Sequence, residues 1–514
     1  MSRRIGIASL IWGVSILLSR VIGLVREAVI GRVLGGGAEA DVYWSAFVLP
    51  DFLNYLLAGG ALTIVFIPIF GRALAQDRED EGWHIFSTIF NFALIVLGLT
   101  TAALMVVTPQ LVPIIAPGFD EAQLAQLARL TRIVLPGQIF HILGGLLSSV
   151  LQARDEHRYP AFAPLGYTGC IVGFGLALGP LLGAEAFAWG VLVGSIVGPF
   201  GIPLVGCLRT RLGWRPVMDL RHPDFRRYFF LSLPIMVAFS VVVVDDWLLK
   251  RFGSLAGEGV VSRLQYAKTL MKVPMGVFGL ATGAAAYPTL TRLVAQGRNG
   301  EAYATLVGAC RMMLVLAFAA QAAFTVAGAD IATVIWGTRR FSEAQLDEIG
   351  LFTGAFCLGL GAWAAQGLIA RGFYARQQTW LPSVVGSVVV VVAFPVYAAL
   401  GERMGGLGLG LASSAAITVY TTALAIMLRR NMAEPGAPRI ADLVVRMTPA
   451  VALGVAGGFA LDRTLSLPAL AQGALTGGLA LVICLAVARL LGVPEVARVV
   501  SLVGGKVARK LGRG

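Results

Sequence analysis

Long apolar runs, cut by short polar connections, recur from one end of this chain to the other. A helix needs about 20 apolar residues to cross hydrocarbon. The runs are continuous rather than alternating, which argues against a transmembrane barrel. The pattern predicts spans at 5–33, 42–73, 84–112, 123–152, 160–181, 185–207, 228–252, 260–291, 303–336, 346–373, 380–400, 405–429, 440–461 and 468–491. The expected fold is therefore an all-α polytopic membrane protein with about 14 transmembrane helices. Glycines 35–37 and prolines such as Pro50, Pro136 and Pro274 punctuate the runs. Such breaks are tolerated where neighbouring helices or water satisfy the freed backbone groups.

Composition agrees with this picture. Of 514 residues, 57% are apolar and 13% charged, with mean hydropathy +0.79, whereas soluble domains carry roughly 25% charged residues. No sizeable soluble domain fits between the spans. The net charge of +13 would point to nucleic acid in a soluble protein. Here the bases crowd into alternate short loops, around Arg72 and Arg78, Arg154 and Arg158, Arg209 to Arg227, Arg292 and Arg298, Arg376, and Arg429 to Arg439. The intervening loops are poor in bases, with Arg339, Arg340 and Arg463 as exceptions. Positive-inside logic then places both termini in the cytoplasm and requires an even number of spans. Arg3 and Arg4 precede an apolar run without a clear small-residue cleavage site, so a retained signal anchor is expected.

The chain also repeats itself. Ala153-Arg154 with Pro160 recurs as Ala375-Arg376 with Pro382, and Pro68 with Arg72 recurs as Pro288 with Arg292. Both copies fall on the same side, which predicts two six-helix lobes in a parallel pseudo-repeat, followed by two extra helices, a plan shared by many transporters. The expected division is 1–220, 221–435 and 436–514.

Charges inside the spans carry the functional signal. Ser19 and Arg20 interrupt the first run, Arg26 follows, and Asp41 opens the second. A charge near the centre of a membrane helix costs at least a few kcal/mol and by default marks a function. Arg20 and Arg26 project about 120° apart on one helix, so both can line a wide polar chamber for an anion. Two other readings stand beside this one. Arg26 can snorkel to an interface, with Glu27 and Arg32 after it, and Asp41 can N-cap its own helix behind the glycine run. Lys268 and Lys272 share a helix face, which suits an anion bridging them or a helix near an interface. Asp245 and Asp246 follow four valines. They can pair with those lysines, hold a coupling cation, or neutralise Lys250 and Arg251.

Other chemistries find no support. The histidines at 84, 141, 157 and 222 are scattered, no nucleophile elbow exists, and the five cysteines have no metal or disulfide spacing. No phosphate-binding Walker loop is present, so ATP is not the direct energy source. An enzyme, a cofactor and a metal are not expected.

The motifs resemble those of a known family. Ser19-Arg20-Val21-Ile22-Gly23-Leu24-Val25-Arg26-Glu27, then Gly35-Gly36-Gly37-Ala38-Glu39-Ala40-Asp41, is similar to the opening of the MurJ/MviN lipid II flippases. Phe47-Val48-Leu49-Pro50, Phe66-Ile67-Pro68, Ala116-Pro117-Gly118-Phe119, Pro160-Ala161-Phe162-Ala163-Pro164 and Gly372-Phe373-Tyr374-Ala375-Arg376 extend the similarity over nearly the whole chain. The family lies in the multidrug/oligosaccharidyl-lipid/polysaccharide exporter superfamily. The resemblance implies that a monomer in the bacterial inner membrane moves lipid II, a polyprenyl-pyrophosphate-linked glycan, from the inner to the outer leaflet by alternating access. It implies a cationic cavity to which Arg20, Arg26 and Asp41 belong, with Lys268 and Lys272 as relocated cations. Asp245 and Asp246 are ion-coupling candidates on the residue reading alone. Where many members carry two arginines and then a glutamate, this chain reads Asn54-Tyr55 and Gly59. Another polyprenyl-pyrophosphate-linked glycan is thus an alternative cargo. A multidrug exporter is less favoured, because cavity arginines repel cationic drugs.

Overall fold

The computed structural model of the chain describes residues 22–58, 66–237, 241–378 and 380–498, and every regular element among them is helical. In chain order the helices are α1 (22–34), α2 (Ala38–Ser45), α3 (Val48–Ala58), α4 (Ile67–Ala75), α5 (Glu79–Ile115), α6 (Glu121–Val134), α7 (Gly137–Ala153), α8 (Arg158–Leu182), α9 (Ala184–Ser195) and α10 (Ile202–Arg209). They continue with α11 (Pro223–Val237), α12 (Val241–Ala256), α13 (Val260–Ala295), α14 (Asn299–Trp336), α15 (Glu343–Cys357), α16 (Leu360–Ala375), α17 (Trp380–Met432), α18 (Ile440–Asp462) and α19 (Ala469–Leu490). Most helix ends fall within a few residues of the predicted spans. Among the described residues, eight helical segments are long and apolar enough to cross a membrane, and the pair α15–α16, bent by 43°, makes nine. The helix α17 is broken at Gly405 (φ 57°, ψ −137°), where the sequence predicts a boundary between two spans.

The outward faces fit lipid rather than water. Leu99 and Val106 of α5 are 69% and 72% exposed, and Val391 and Val392 of α17 are 72% and 63% exposed. Side chains of this kind would hide in a soluble bundle. In a bilayer they cost nothing outside, and the helices associate through close packing of small residues instead. Gly144 is one such point: a Cβ there would stand 2.0 Å from the carbonyl of Pro199.

The chain divides into two compact units, one of Met1–Phe239 with Asp246–Ser262, the other of Ser240–Asp245 with Arg263–Gly514. This division differs from the one expected at 220 and 435. The helix α11 joins the first unit because Phe225 and Tyr228 enter its aromatic core, alongside Phe66, Phe70, Trp83 and Phe86. The last two helices, α18 and α19, pack against α14 and so belong to the second unit's body.

The internal repeat is visible in the turns. Left-handed backbone occurs at Asp77 (φ 53°) and Gly297 (φ 75°), at Asp155 (φ 59°) and Gln377 (φ 60°), and at Gly183 (φ 54°) and Gly405 (φ 57°). Arg78 then pairs with Glu81 at 2.8 Å, and Arg298 with Glu301 at 2.6 Å. Capping boxes start α6, from Asp120 and Gln123, and α15, from Ser342 and Gln345. Each box satisfies two N–H groups that a helix start leaves orphaned. Arg154 donates to the carbonyl of Thr210, and Arg376 to that of Asn431.

Each unit also pins the linker that leaves its sixth predicted span. In the first unit Asn91, on α5, donates to the carbonyls of Arg215 and Val217 at 3.0 and 2.8 Å and accepts from the indole of Trp214 at 3.0 Å. In the second, Arg311 on α14 donates to the carbonyl of Arg439 at 2.7 Å and to Glu495 at 2.5 Å.

Candidate functional site

Arg20 lies outside the described residues. Arg26 is half-buried on α1, and its guanidinium donates to Glu27 at 2.6 Å. Its Nε is buried without a hydrogen-bond partner among the described residues. Tyr167 and Tyr43 stand in its electrostatic neighbourhood. Adjacent residues on a helix do not face each other, so the Arg26–Glu27 contact is made by long side chains folding toward one another. That leaves part of the guanidinium, which carries five donors, unused by its neighbour.

Asp41 is 1% exposed and is not the N-cap of its own helix, a place held by Gly37. Its carboxylate instead caps α13. Oδ2 accepts from the N–H of Gly259 at 2.6 Å and Oδ1 from the N–H of Ser262 at 2.7 Å. A negative charge at a helix N-terminus meets both the orphaned donors and the helix dipole. The exchange is reciprocal, because Glu258 accepts from the N–H of Ala38 at the start of α2, at 3.4 Å. Glu39 does the same for α9, accepting from Ala184 at 2.8 Å. Both oxygens of Asp41 thus accept from backbone N–H groups, which fixes the start of α13.

The two lysines of α13 part company. Lys268 is 1% exposed and forms an ion pair with Asp245, itself 2% exposed. The phenol of Tyr397 donates to the other oxygen of that carboxylate. The ammonium also stands 5.1 Å from the ring centroid of Trp363, a distance at which the ring quadrupole attracts a cation. Lys272, four residues on, is exposed. An anion bridging the two lysines is therefore not needed to offset their repulsion, since Asp245 already neutralises Lys268. Pairing with a lysine, one of the three options open for Asp245, is present in the structure.

Some contributing residues escape a sequence reading. Tyr397 is 152 positions from Asp245, and its signal is a lone phenol in an otherwise apolar run. Asn54 donates to Gln138 at 2.7 Å. Among the described residues no cluster of His, Cys, Asp and Glu suited to a metal ion is found.

The family model described as Lipid II flippase MurJ matches residues 30–474. A Burkholderia cenocepacia protein named Lipid II flippase MurJ is 28% identical over 390 residues, covering 73% of this chain and 74% of its own length. A solved structure of lipid II flippase MurJ in an inward closed conformation aligns with a TM-score of 0.76 at 19% identity, over 92% of this chain and 98% of that one. An inward-facing multidrug resistance MATE family transporter of the MOP superfamily aligns at 0.62 and 14% identity, over 80% and 95%. At these identities the two structural likenesses speak for the fold alone.

Proposed function

The chain belongs to the lipid II flippase MurJ family, and from that premise we propose that it moves lipid II from the inner to the outer leaflet of the bacterial cytoplasmic membrane by alternating access. The observation that carries the reading is the family match across residues 30–474. The intramembrane charge at Arg26 supplies the physical reason. A pyrophosphate cannot enter hydrocarbon unpaired, because burying an isolated anion is prohibitive. A half-buried guanidinium with spare donors lowers that cost, while the polyprenyl tail stays in lipid.

We assign Arg20 and Arg26 to the pyrophosphate, Lys272 to an exposed cation of the second unit, Asp41 to the helix ends it caps, and the Asp245–Lys268 pair to a tether inside the second unit. A coupling cation at Asp245 would have to displace an ammonium, so we place no metal cation there. The protein is a transporter and not an enzyme, acts as a monomer, and crosses the membrane about 14 times with both termini in the cytoplasm, as loop charge requires.

The test is complementation of a strain depleted of its own lipid II flippase, with lipid II exposure on the outer leaflet as the readout. Restored growth and exposure are expected. Normal accumulation of the protein with lipid II retained inside would overturn the reading. Restored export of a different surface glycan in its place would assign the alternative cargo.

A further inference from the structure

Four polar side chains of the first unit lie along a seam that the assignments above leave unused. Asn54 on α3 donates through Nδ2 to Oε1 of Gln138 on α7 at 2.7 Å. Gln138 is buried and Asn54 half-buried. Three residues further along the same face of α7, His141 meets Tyr167 of α8 edge to face, with ring centroids 5.0 Å apart and planes at 82°. Tyr167 in turn has Arg26, Glu27 and Asp51 in its electrostatic neighbourhood. The seam thus runs from a guanidinium, past a phenol and an imidazole, to a pair of neutral amides.

Its location makes it conspicuous. The helices α7 and α8 belong to segments apolar enough to span a membrane, and Gln138 and His141 sit among Ile139, Phe140, Ile142 and Leu143. Polar groups in such segments carry a desolvation cost that apolar residues avoid. The chemistry also changes along the seam. A guanidinium offers donors only and suits phosphate oxygens, whereas amides, phenol and imidazole both donate and accept. Groups with both capacities match hydroxyls and amides, which are uncharged.

We propose that this seam is the sugar-reading half of the cargo site, in which Asn54, Gln138, His141 and Tyr167 bind hydroxyl and amide groups of the glycan attached to the pyrophosphate that Arg26 holds. The proposal rests on the flippase reading above. It assigns discrimination between glycans to the amide pair and anchoring to the cation.

The experiment compares two ligands on the purified full-length protein by native mass spectrometry: lipid II, and undecaprenyl pyrophosphate, which lacks the glycan. Asn54→Leu with Gln138→Leu should weaken lipid II binding by about tenfold, because a site built to hydrogen-bond loses most when that bonding is removed. Binding of undecaprenyl pyrophosphate should stay unchanged. Arg26→Ala should weaken both ligands. Equal weakening of both ligands by the double variant, or no weakening of either, would overturn the proposal and leave the seam as interhelical glue. Should the double variant fail to accumulate, Asn54→Ala alone is read in the same way. If the unaltered protein bound neither lipid, the flippase reading itself would fall, and the seam's assignment with it.

Discussion

Arg26 and Lys268 are both cations within apolar helices, yet the two units house them differently. Lys268 is closed in on every recorded side, by Asp245, by the Tyr397 phenol on the same carboxylate and by the Trp363 ring. Arg26 leans on its sequence neighbour Glu27, keeps about a quarter of its side chain exposed, and has an Nε without a hydrogen-bond partner among the described residues. Membrane burial imposes a similar cost on both. What differs is whether the compensating charge comes from within the fold. A cation matched by its own fold is architecture, while one matched only in part is available to something that arrives.

Breaking the sealed pair gives the largest effect. Lys268→Ala leaves Asp245 buried and unpaired, which should cost about 3–5 kcal/mol. The expected outcome is a marked drop in membrane abundance and in Tm measured in detergent. Lys268→Met combined with Asp245→Leu and Tyr397→Phe removes charge and orphaned hydroxyl together and should restore most of the abundance. A triple variant as unstable as the single one would show that the cluster is more than a neutral tether.

The half-open cation should respond in the opposite manner. Arg26→Ala is expected to reduce lipid II translocation on the order of tenfold or more, as truncation of a buried charge partner typically does, at unchanged abundance. Arg26→Lys should recover only part, since Lys keeps the charge but loses the bidentate fork. Loss of abundance matching the loss of transport would place Arg26 with Lys268 as architecture and erase the contrast.

The smallest effect belongs to the pair at the helix rim, Arg311 with Glu495. Burial pushes the Glu495 carboxyl up, but the hydrogen bond from Arg311, its backbone contact and the charges of Arg311 and Arg498 outweigh that and hold it below the ordinary carboxylate range. A depressed carboxylate contributes stability that is present above its unfolded value and lost as pH falls through the folded one. Hydrogen exchange in 491–498 should therefore rise modestly on acidification below the ordinary carboxylate range, and Glu495→Gln should abolish that dependence.

Local features were legible in the sequence, and distant pairings were not. Apolar run lengths placed the helices, and Pro160 with Pro382 betrayed a repeat that reappears in the turns at Asp155 and Gln377. Periodicity, however, reports only which face of a helix a side chain occupies. It does not report which helix lies opposite, so the pairing of Lys268 with Asp245, and of Asp245 with Tyr397, was not legible from the lysine spacing on α13. The carboxylate of Asp41 was visible as a helix-capping residue, but not as the cap of a helix that begins at Val260.

That last contact bears on how the protein is made. Asp41 and Gly259 are separated by 218 residues, and translation at about 5–20 residues per second sets an interval of roughly 10 to 40 seconds between their appearances. Throughout that interval the nascent first unit has helices in the bilayer and its latch unfastened. Asp41 must wait against water, hydrated, until the ribosome delivers the amides that replace that water. Completion of this unit is thus timed by synthesis of the segment that opens the second.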